Sequence, residues 1–294
     1  MERATRLRSL WSWLPDFRAV AETEHLPSAS KALHVSASSL SRTIRLLEED
    51  VGQPLFDRIG RGLVLNAAGR ELLGAVRNAM RGVDEALSRI GPGQFVGEVT
   101  ISVAGPFAPV FVLPALGPLR DAHPELCPRI VSVADDRVSL ALTRGELDVA
   151  ILDAPAAREG LSIRELGRVP HGLFCGAGHP LHGRANVTVE DIAPHPFVTP
   201  PPDPDGGSVD RWPLDWPRKV GLVVHQMQVG VDACASGSYL AVLPAPIGAR
   251  AGLYDLGVPG IDGAPMFAVH RETLGDEGRV EAVLAAIGAV APPR

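Results

Sequence analysis

Apolar residues follow two different rhythms along the chain. Over the first 90 residues they recur at helical spacing, and beyond residue 97 short apolar runs alternate with helical stretches. In the segment from Ser36 to Glu48, Leu40, Ile44 and Leu47 repeat at i, i+4 and i+7. One stripe therefore faces a core while Ser38, Ser41, Arg42 and Arg45 point outward. Ser36 is a good N-cap, and Ser39 three residues later supplies no capping-box carboxylate. Pro27 to Leu33 predicts a shorter helix, and His34-Val35 a tight turn between the two. Leu14, Phe17, Val20 and Ala21 predict a third helix behind them. Pro15 is tolerated in a first turn and removes a hydrogen bond in a helix interior, so this helix is expected to start near Leu14 with residues 1–12 as a loose extension. Residues 51–58 and 62–65 read as two short strands around Ile59-Gly60-Arg61, a hairpin wing.

Two short helices joined by a brief turn make a helix-turn-helix, whose second helix enters the DNA major groove. Serines permit close approach to bases or phosphates, and arginine binds guanine bidentately or pairs with phosphate. An ordinary solvated helix face carrying two arginines is the alternative for this helix taken alone. The run Ser28-Ala29-Ser30-Lys31-Ala32-Leu33-His34-Val35-Ser36, followed by Leu40-Ser41-Arg42, Ile44, Leu47-Glu48, Gly52, Leu55-Phe56-Asp57-Arg58, Leu65-Asn66 and Ala68-Gly69, resembles the winged helix-turn-helix of LysR-type transcriptional regulators. The resemblance implies groove-facing roles for Ser36, Ser38, Ser39, Ser41 and Arg42, and wing roles for Arg58 and Arg61; Arg45, on the same outward face of the helix, is a further DNA-contact candidate. It also implies a long linker helix that dimerises. Ala37 departs from the family, which often has a polar base reader there.

Asn66 can cap a helix reaching about Ile90, with Leu72, Leu73, Val76, Met80, Val83, Leu87 and Ile90 at near-heptad spacing. A second copy is the natural cover for such a stripe, and packing on the chain's own body is the other solution. A twofold pair would read two half-sites about one DNA turn apart. Gly91-Pro92-Gly93 ends the helix as a hinge.

The remainder predicts strands at 99–104, 130–134 and 149–152 with helices at 109–123 and 136–144, hence an open, mostly parallel sheet with right-handed crossovers. A second set follows: strands at 172–176, 197–199, 220–224, 240–243 and 267–270, and helices after Thr188 and over 227–236. A last helix spans 278–290. Two such sheets joined by two crossover strands make a clamshell. Gly145-Glu146-Leu147-Asp148-Val149-Ala150-Ile151, Gly178-His179-Pro180-Leu181, Gly237 and Leu243-Pro244 resemble the family's effector domain, which is similar to periplasmic solute-binding proteins. The expected fold is thus an α+β winged helix-turn-helix head (1–66), a linker helix and hinge (67–93), and an α/β two-lobed periplasmic-binding-like body, lobe I being 94–169 plus 269–294 and lobe II 170–268.

Ligands in open α/β sheets bind beyond the carboxyl ends of strands. Those ends are Gly105, Pro106 and Phe107, then Asp135, Asp153, Thr199, Pro200, His225 and Gln226. Where the family often holds a ligand carboxylate with a hydroxyl, this chain has Gly105 and Pro106, which points to a larger or more apolar effector contacted by Phe107. Each residue also has a plainer role: Asp135 as a helix cap, Phe107 as core, His225 as a surface histidine. Residues 200–217, rich in Pro, Asp and Gly, read as a surface loop.

Composition narrows the class. Residues 1–90 hold 13 Lys and Arg against 11 Asp and Glu, and the rest 15 against 23, for a net charge of −6. A weakly positive head on an acidic body argues against nonspecific coating of DNA and permits a small placed basic face. Three cysteines, Cys127, Cys175 and Cys234, are too few and scattered for a disulfide framework or zinc cluster. No nucleophile elbow, phosphate loop or dinucleotide fingerprint occurs, and Pro180 separates His179 from His182, so no enzyme, metal or cofactor is expected. No apolar run reaches the ~18 residues of a membrane span, and a cytoplasmic location is expected. Expected partners are double-stranded operator DNA, a small-molecule effector, a second copy through the linker helix assembling further to a tetramer, and RNA polymerase. The alternatives are a solute sensor whose head only mediates assembly, and a cysteine-based redox-responsive regulator. Buried thiols without an adjacent cation argue against the latter.

Overall fold

The computed structural model describes residues 2–59, 62–90, 94–103, 107–202, 207–272 and 278–290. The head is α1 (Glu2–Thr23), α2 (Leu26–Leu33), α3 (Ala37–Val51) and a hairpin of β1 (Phe56–Ile59) and β2 (Gly62–Leu65). Leu40, Ile44 and Leu47 of α3 are buried together with Phe17, Val20 and Ala21 of α1, and Phe17 meets Phe56 of the wing edge-on at 5.8 Å. Full burial of each such side chain contributes about 1.5–3 kcal/mol, so the stripe read from spacing is what binds α3 to the head. His34 turns the chain between α2 and α3 in the left-handed region at φ 56°.

α1 starts at Glu2 and runs through Pro15, not from Leu14 as the proline suggested. The lost hydrogen bond is offset by tertiary anchors: Leu10 and Trp13 pack on the head core, and Arg6 grips Asp50 at the end of α3 at 3.0 and 3.2 Å. Packing overrides a local penalty of this kind routinely.

α4 (Ala67–Ile90) is capped by the Asn66 side chain, which accepts the Gly69 N–H at 2.9 Å. Gly69 is required by space, since a Cβ there would lie 2.2 Å from the Leu55 carbonyl oxygen. The apolar stripe of α4 divides. Leu73 and Val76 are buried against the head with Leu72 and Met80 beside them, whereas Val83 and Leu87 remain 46% and 62% exposed.

The body holds two five-stranded sheets. The first contains β3 (Gly97–Val103), β4 (Leu126–Val131), β5 (Val149–Leu152) and β6 (Leu161–Val169), crossed by a π-helical turn (Ala108–Val112) leading into α5 (Leu113–Ala122), and by α6 (Asp135–Thr143). The second contains β7 (His171–Cys175), β8 (Pro196–Thr199), β9 (Lys219–Val223), β10 (Leu240–Pro244) and β11 (Tyr254–Asp255), with α7 (Val189–Ile192), α8 (Met227–Ala235) and α9 (Ala245–Arg250). β12 (Ala264–Arg271) then returns to the first sheet and α10 (Gly278–Val290) packs on α5.

Strand orders are β4-β3-β5-β12-β6 and β11-β7-β10-β8-β9. β4, β3 and β5 are parallel, as are β9, β8 and β10, but β12 is antiparallel to both β5 and β6. In each sheet four strands run one way and a single strand runs against them: β12 in the first and β7, antiparallel to β10 and β11, in the second. In the first sheet the cause is the double crossing: the chain leaves it along β6 and re-enters along β12, and two crossing strands side by side must run in opposite directions. β12 pairs with β6 from Ala264, so the return falls at residue 264 rather than at 269. β6, β11 and α9 had no counterpart in the sequence pattern. Gly237, at φ 78°, lies with its missing Cβ 2.9 Å from the Gly178 Cα, so the two glycines allow α8 and the turn after β7 to touch backbone to backbone.

Candidate DNA interface and effector cleft

The Ser36 hydroxyl accepts the Ser39 N–H at 3.1 Å, as an N-cap does, and lies 3.0 Å from the Ser38 hydroxyl. Ser36, Ser38, Ser39, Ser41, Arg42 and Arg45 are all exposed. Ser38, Ser41, Arg42 and Arg45 line a groove of about 610 Å³ together with Arg58, Gly62 and Leu63 of the wing. Ser36 and Ser39 sit at the start of α3 outside it, and Arg61 lies outside the described residues.

The three acidic residues that end α3 are all engaged. Glu48 accepts the Leu55 and Phe56 N–H groups at 2.8 and 3.3 Å, Glu49 pairs with Arg45 at 3.6 Å, and Asp50 with Arg6. Glu48 thus turns inward to hold the base of the wing, a role its position in sequence did not disclose. Arg42 and Arg58 have no carboxylate partner among the described residues, which leaves two guanidiniums free to meet phosphate or base edges. Arg45 is only lightly held, since its pair is 69% and 61% exposed and such pairs contribute little.

Between the two sheets lies a cavity of about 230 Å³. Phe107, Asp153, Thr199, Pro200 and His225 line it, as the strand-end reasoning expected. Gly105 and Pro106 lie outside the described residues. Gln226 is the N-cap residue of α8 without a side-chain cap bond, and the wall passes from His225 to Met227 without it. Asp135 is the first residue of α6, off the cavity wall, with Ala134 as the N-cap. Burial first, then Asp153 and Asp136, raise its carboxyl above the ordinary value.

Several lining residues escaped the sequence reading, two of them titratable. His171 opens β7 directly after the crossing at Pro170, and its Nδ1 lies 3.0 Å from the Val169 carbonyl. Burial holds its pKa below the ordinary histidine value. Asp210 lies in the segment taken for a surface loop, yet it is buried and accepts from Ser208 Oγ, Trp212 N and Arg218 Nη1 at 2.6, 3.4 and 2.7 Å. That carboxylate shapes the turn so that Trp212 can enter the core against Phe197 and Trp216. The same loop carries Arg211, which reaches the opposite lobe to pair with Asp153 at 3.5 Å.

Linker and body meet at one buried carboxylate. Asp148, 3% exposed, sits 2.6 Å from Arg81 of α4 and 3.6 Å from Arg271 of β12, and it accepts the Thr100 N–H at 2.8 Å. Arg81 also donates to the Gly145 carbonyl.

Comparison with known proteins agrees with this geometry. Residues 11–70 match the family described as bacterial regulatory helix-turn-helix protein, lysR family, and residues 92–292 match the LysR substrate binding domain. A probable hydrogen peroxide-inducible genes activator of Mycobacterium xenopi is 33% identical over 173 residues, 58% of this chain and 92% of that protein. The transcriptional regulator AlsR of Bacillus subtilis is 29% identical over 62% of this chain, an alignment spanning 61% of its own length. A full-length OxyR variant of Pseudomonas aeruginosa superposes over 96% of both chains with a TM-score of 0.73 at 17% identity. CbnR in complex with its target DNA superposes over 95% of this chain and 99% of its own with a TM-score of 0.60 at 19% identity. Among the described residues no helix is long and apolar enough to cross a membrane. A winged head with an open guanidinium groove, a linker helix and a two-lobed cleft, matched over nearly the whole length by both domain families, place this chain in the family of LysR-type transcriptional regulators.

Proposed function

We propose that α3 and the wing read an operator, that two copies pair through the outer half of α4, and that a small effector in the cleft changes how the heads are presented. The observation that carries this reading is the groove in which Arg42 and Arg58 converge without carboxylate partners among the described residues. In it Ser38, Ser41 and Arg42 meet base edges and Arg58 meets phosphate or minor groove; beside it Ser36 and Ser39 present the positive end of α3 to the backbone, and Arg61 is the second wing contact. Phe107, Asp153, Thr199, Pro200 and His225 contact the effector, and the division into a head at 1–66, a linker at 67–93 and a two-lobed body is the working unit.

An effector acts only through different affinities for two arrangements. The Arg211–Asp153 pair between the lobes and the Arg81–Asp148 pair between linker and body are the contacts such a change would cross. Assembly to a tetramer and contact with RNA polymerase extend the same reading.

The redox alternative is disfavoured by the thiols. Cys175 and Cys234 are buried, burial pushes the first thiol up, and burial followed by the Cys175 charge pushes the second up to about 12. A peroxide-reactive cysteine needs the opposite shift.

Gel-shift titration over matched and mismatched operators tests the reading. Arg42→Ala is expected to cost about 1–3 kcal/mol and to relax base choice at one position. Arg58→Ala should weaken all sequences alike and reduce the salt slope by about one. An equal loss on every DNA for Arg42→Ala would reject its reading role.

A further inference from the structure

The effector cleft contains a polar group with nothing to bind. Thr199 is only 3% exposed and lines the cavity; its carbonyl accepts the Val224 N–H, but its hydroxyl has no hydrogen-bond partner among the described residues. Around it the wall is hydrocarbon, with Phe107, Val198, Val224 and Met227. The hydroxyl is not among the buried side-chain atoms that lack a partner, so it opens onto the cavity, where a ligand can pair with it.

Of the other polar groups of the wall, His171 and Asp153 favour a ligand that donates. A carbonyl oxygen only accepts, so His171 Nδ1, 3.0 Å from Val169 O, carries the proton, and the neutral ring's Nε2 is an acceptor. Asp153, half-exposed at the mouth, is an acceptor as well. Charge points the same way. Asp135, Asp136, Asp153 and Asp210 surround this end of the cleft, against Arg211 and Arg218. Arg218 is consumed by Asp210 in a buried pair at 2.7 Å. The remaining carboxylates repel one another, and Asp153 and Asp136 add to the burial that raises the Asp135 carboxyl. In sequence, Ala104-Gly105-Pro106 after β3 include neither a hydroxyl nor a cation. A carboxylate ligand would add a further negative charge where no lining side chain among the described residues is a Lys or Arg.

We propose that the cleft binds a small apolar molecule bearing a protonated amine, its ammonium on Asp153 and Thr199 and its hydrocarbon body against Phe107 and Met227. The cavity, about 230 Å³, is below the ~300–1,000 Å³ of drug-sized sites, which selects a compact ligand. The ammonium takes Asp153 from Arg211, so binding replaces a direct lobe-to-lobe ion pair by one that runs through the ligand. This inference rests on the cleft being the effector site proposed above.

Thermal-shift and calorimetric titrations of the full chain with phenethylamine, 2-phenylethanol and 3-phenylpropionate, each to about 10 mM, test it. Phenethylamine is expected to bind saturably, the alcohol more weakly and the carboxylate not at all. Asp153→Asn, a half-exposed position where the fold is not at stake, should weaken the amine about tenfold or more and leave the alcohol unchanged. Thr199→Val should weaken both the amine and the alcohol. Met227→Trp, which fills the cavity, should abolish both. Tighter binding of the carboxylate, unchanged amine affinity in Asp153→Asn, or no amine binding overturns the ammonium assignment. Binding of the alcohol or carboxylate without the amine, abolished by Met227→Trp, would keep the cleft as the ligand site while ending that assignment. Amine binding that survives Met227→Trp would place the ligand elsewhere and remove the cleft reading itself.

Discussion

Removing the Asp148 carboxylate should be among the most damaging single changes in the body. Asp148 is 3% exposed, and Arg81 and Arg271 are each 16% exposed, so three charges are held away from water by one another. Asp148→Ala removes the anion that the largely buried Arg81 and Arg271 guanidiniums share and leaves the Thr100 N–H without its acceptor. Breaking a buried pair by deleting one partner costs about 3–5 kcal/mol, because the survivor keeps its desolvation penalty. For a body of this size, 1 kcal/mol corresponds to roughly 2–4 °C, so the melting midpoint should fall by about 10 °C. Asp148→Asn retains an acceptor for Thr100 and should lose less. Since Arg81 belongs to the linker helix and Arg271 to the returning strand, the same variants should loosen the join between head and body. Circular dichroism melts at pH 7 in low and high salt read the effect, and the loss should be nearly independent of salt, unlike that of an exposed pair. A fall in midpoint under about 3 °C for Asp148→Ala, or a loss that disappears in high salt, would refute the reasoning.

Val83→Glu or Leu87→Glu should shift the protein from dimer toward monomer in sedimentation experiments, because both residues are exposed on the stripe of α4; an unchanged assembly would exclude this seam. His171 and His179 have folded pKa values held below the ordinary 6.5, chiefly by burial. Below pH 6.5 the unfolded chain therefore binds more protons than the folded one, and stability should fall as pH drops through that value. His171→Gln/His179→Gln should flatten the midpoint against pH between about 5 and 7, and parallel curves would show that these rings are not the cause. A thiol reagent should modify the exposed Cys127 in the native protein, while Cys175 and Cys234 react only on unfolding; rapid native labelling of either would revive a redox role.

The head was legible because its information is local. The spacing of Leu40, Ile44 and Leu47, the Ser36 cap and the Asn66 cap each operate within a few residues, and each recurs in the structure as read. The errors came where distant contacts decide. Pro15 breaks a helix judged alone, but Arg6 and Asp50 are 44 positions apart and no window joins them. β6 was missed because its neighbour β12 lies about a hundred residues later, and its exposure alternates instead of forming an apolar run. In the cleft, strand ends located Phe107, Asp153, Thr199 and His225, since topology alone puts them there. Asp210 stayed hidden behind a composition typical of loops; the paired Arg218, eight residues on, and two tryptophans were the only local signs that this stretch enters the core.

The divided stripe of the linker helix makes it a lever. Its near end is fixed to the head by Leu73 and Val76, and its far end offers Leu87. At 1.5 Å per residue these ends are separated by about 20 Å. A tilt of some 10° about a pivot near Leu87 would therefore carry each head sideways by roughly 4 Å, close to the 3.4 Å step between bases. Where two copies pair as proposed, small rotations of the crossed rods become whole steps along the double helix.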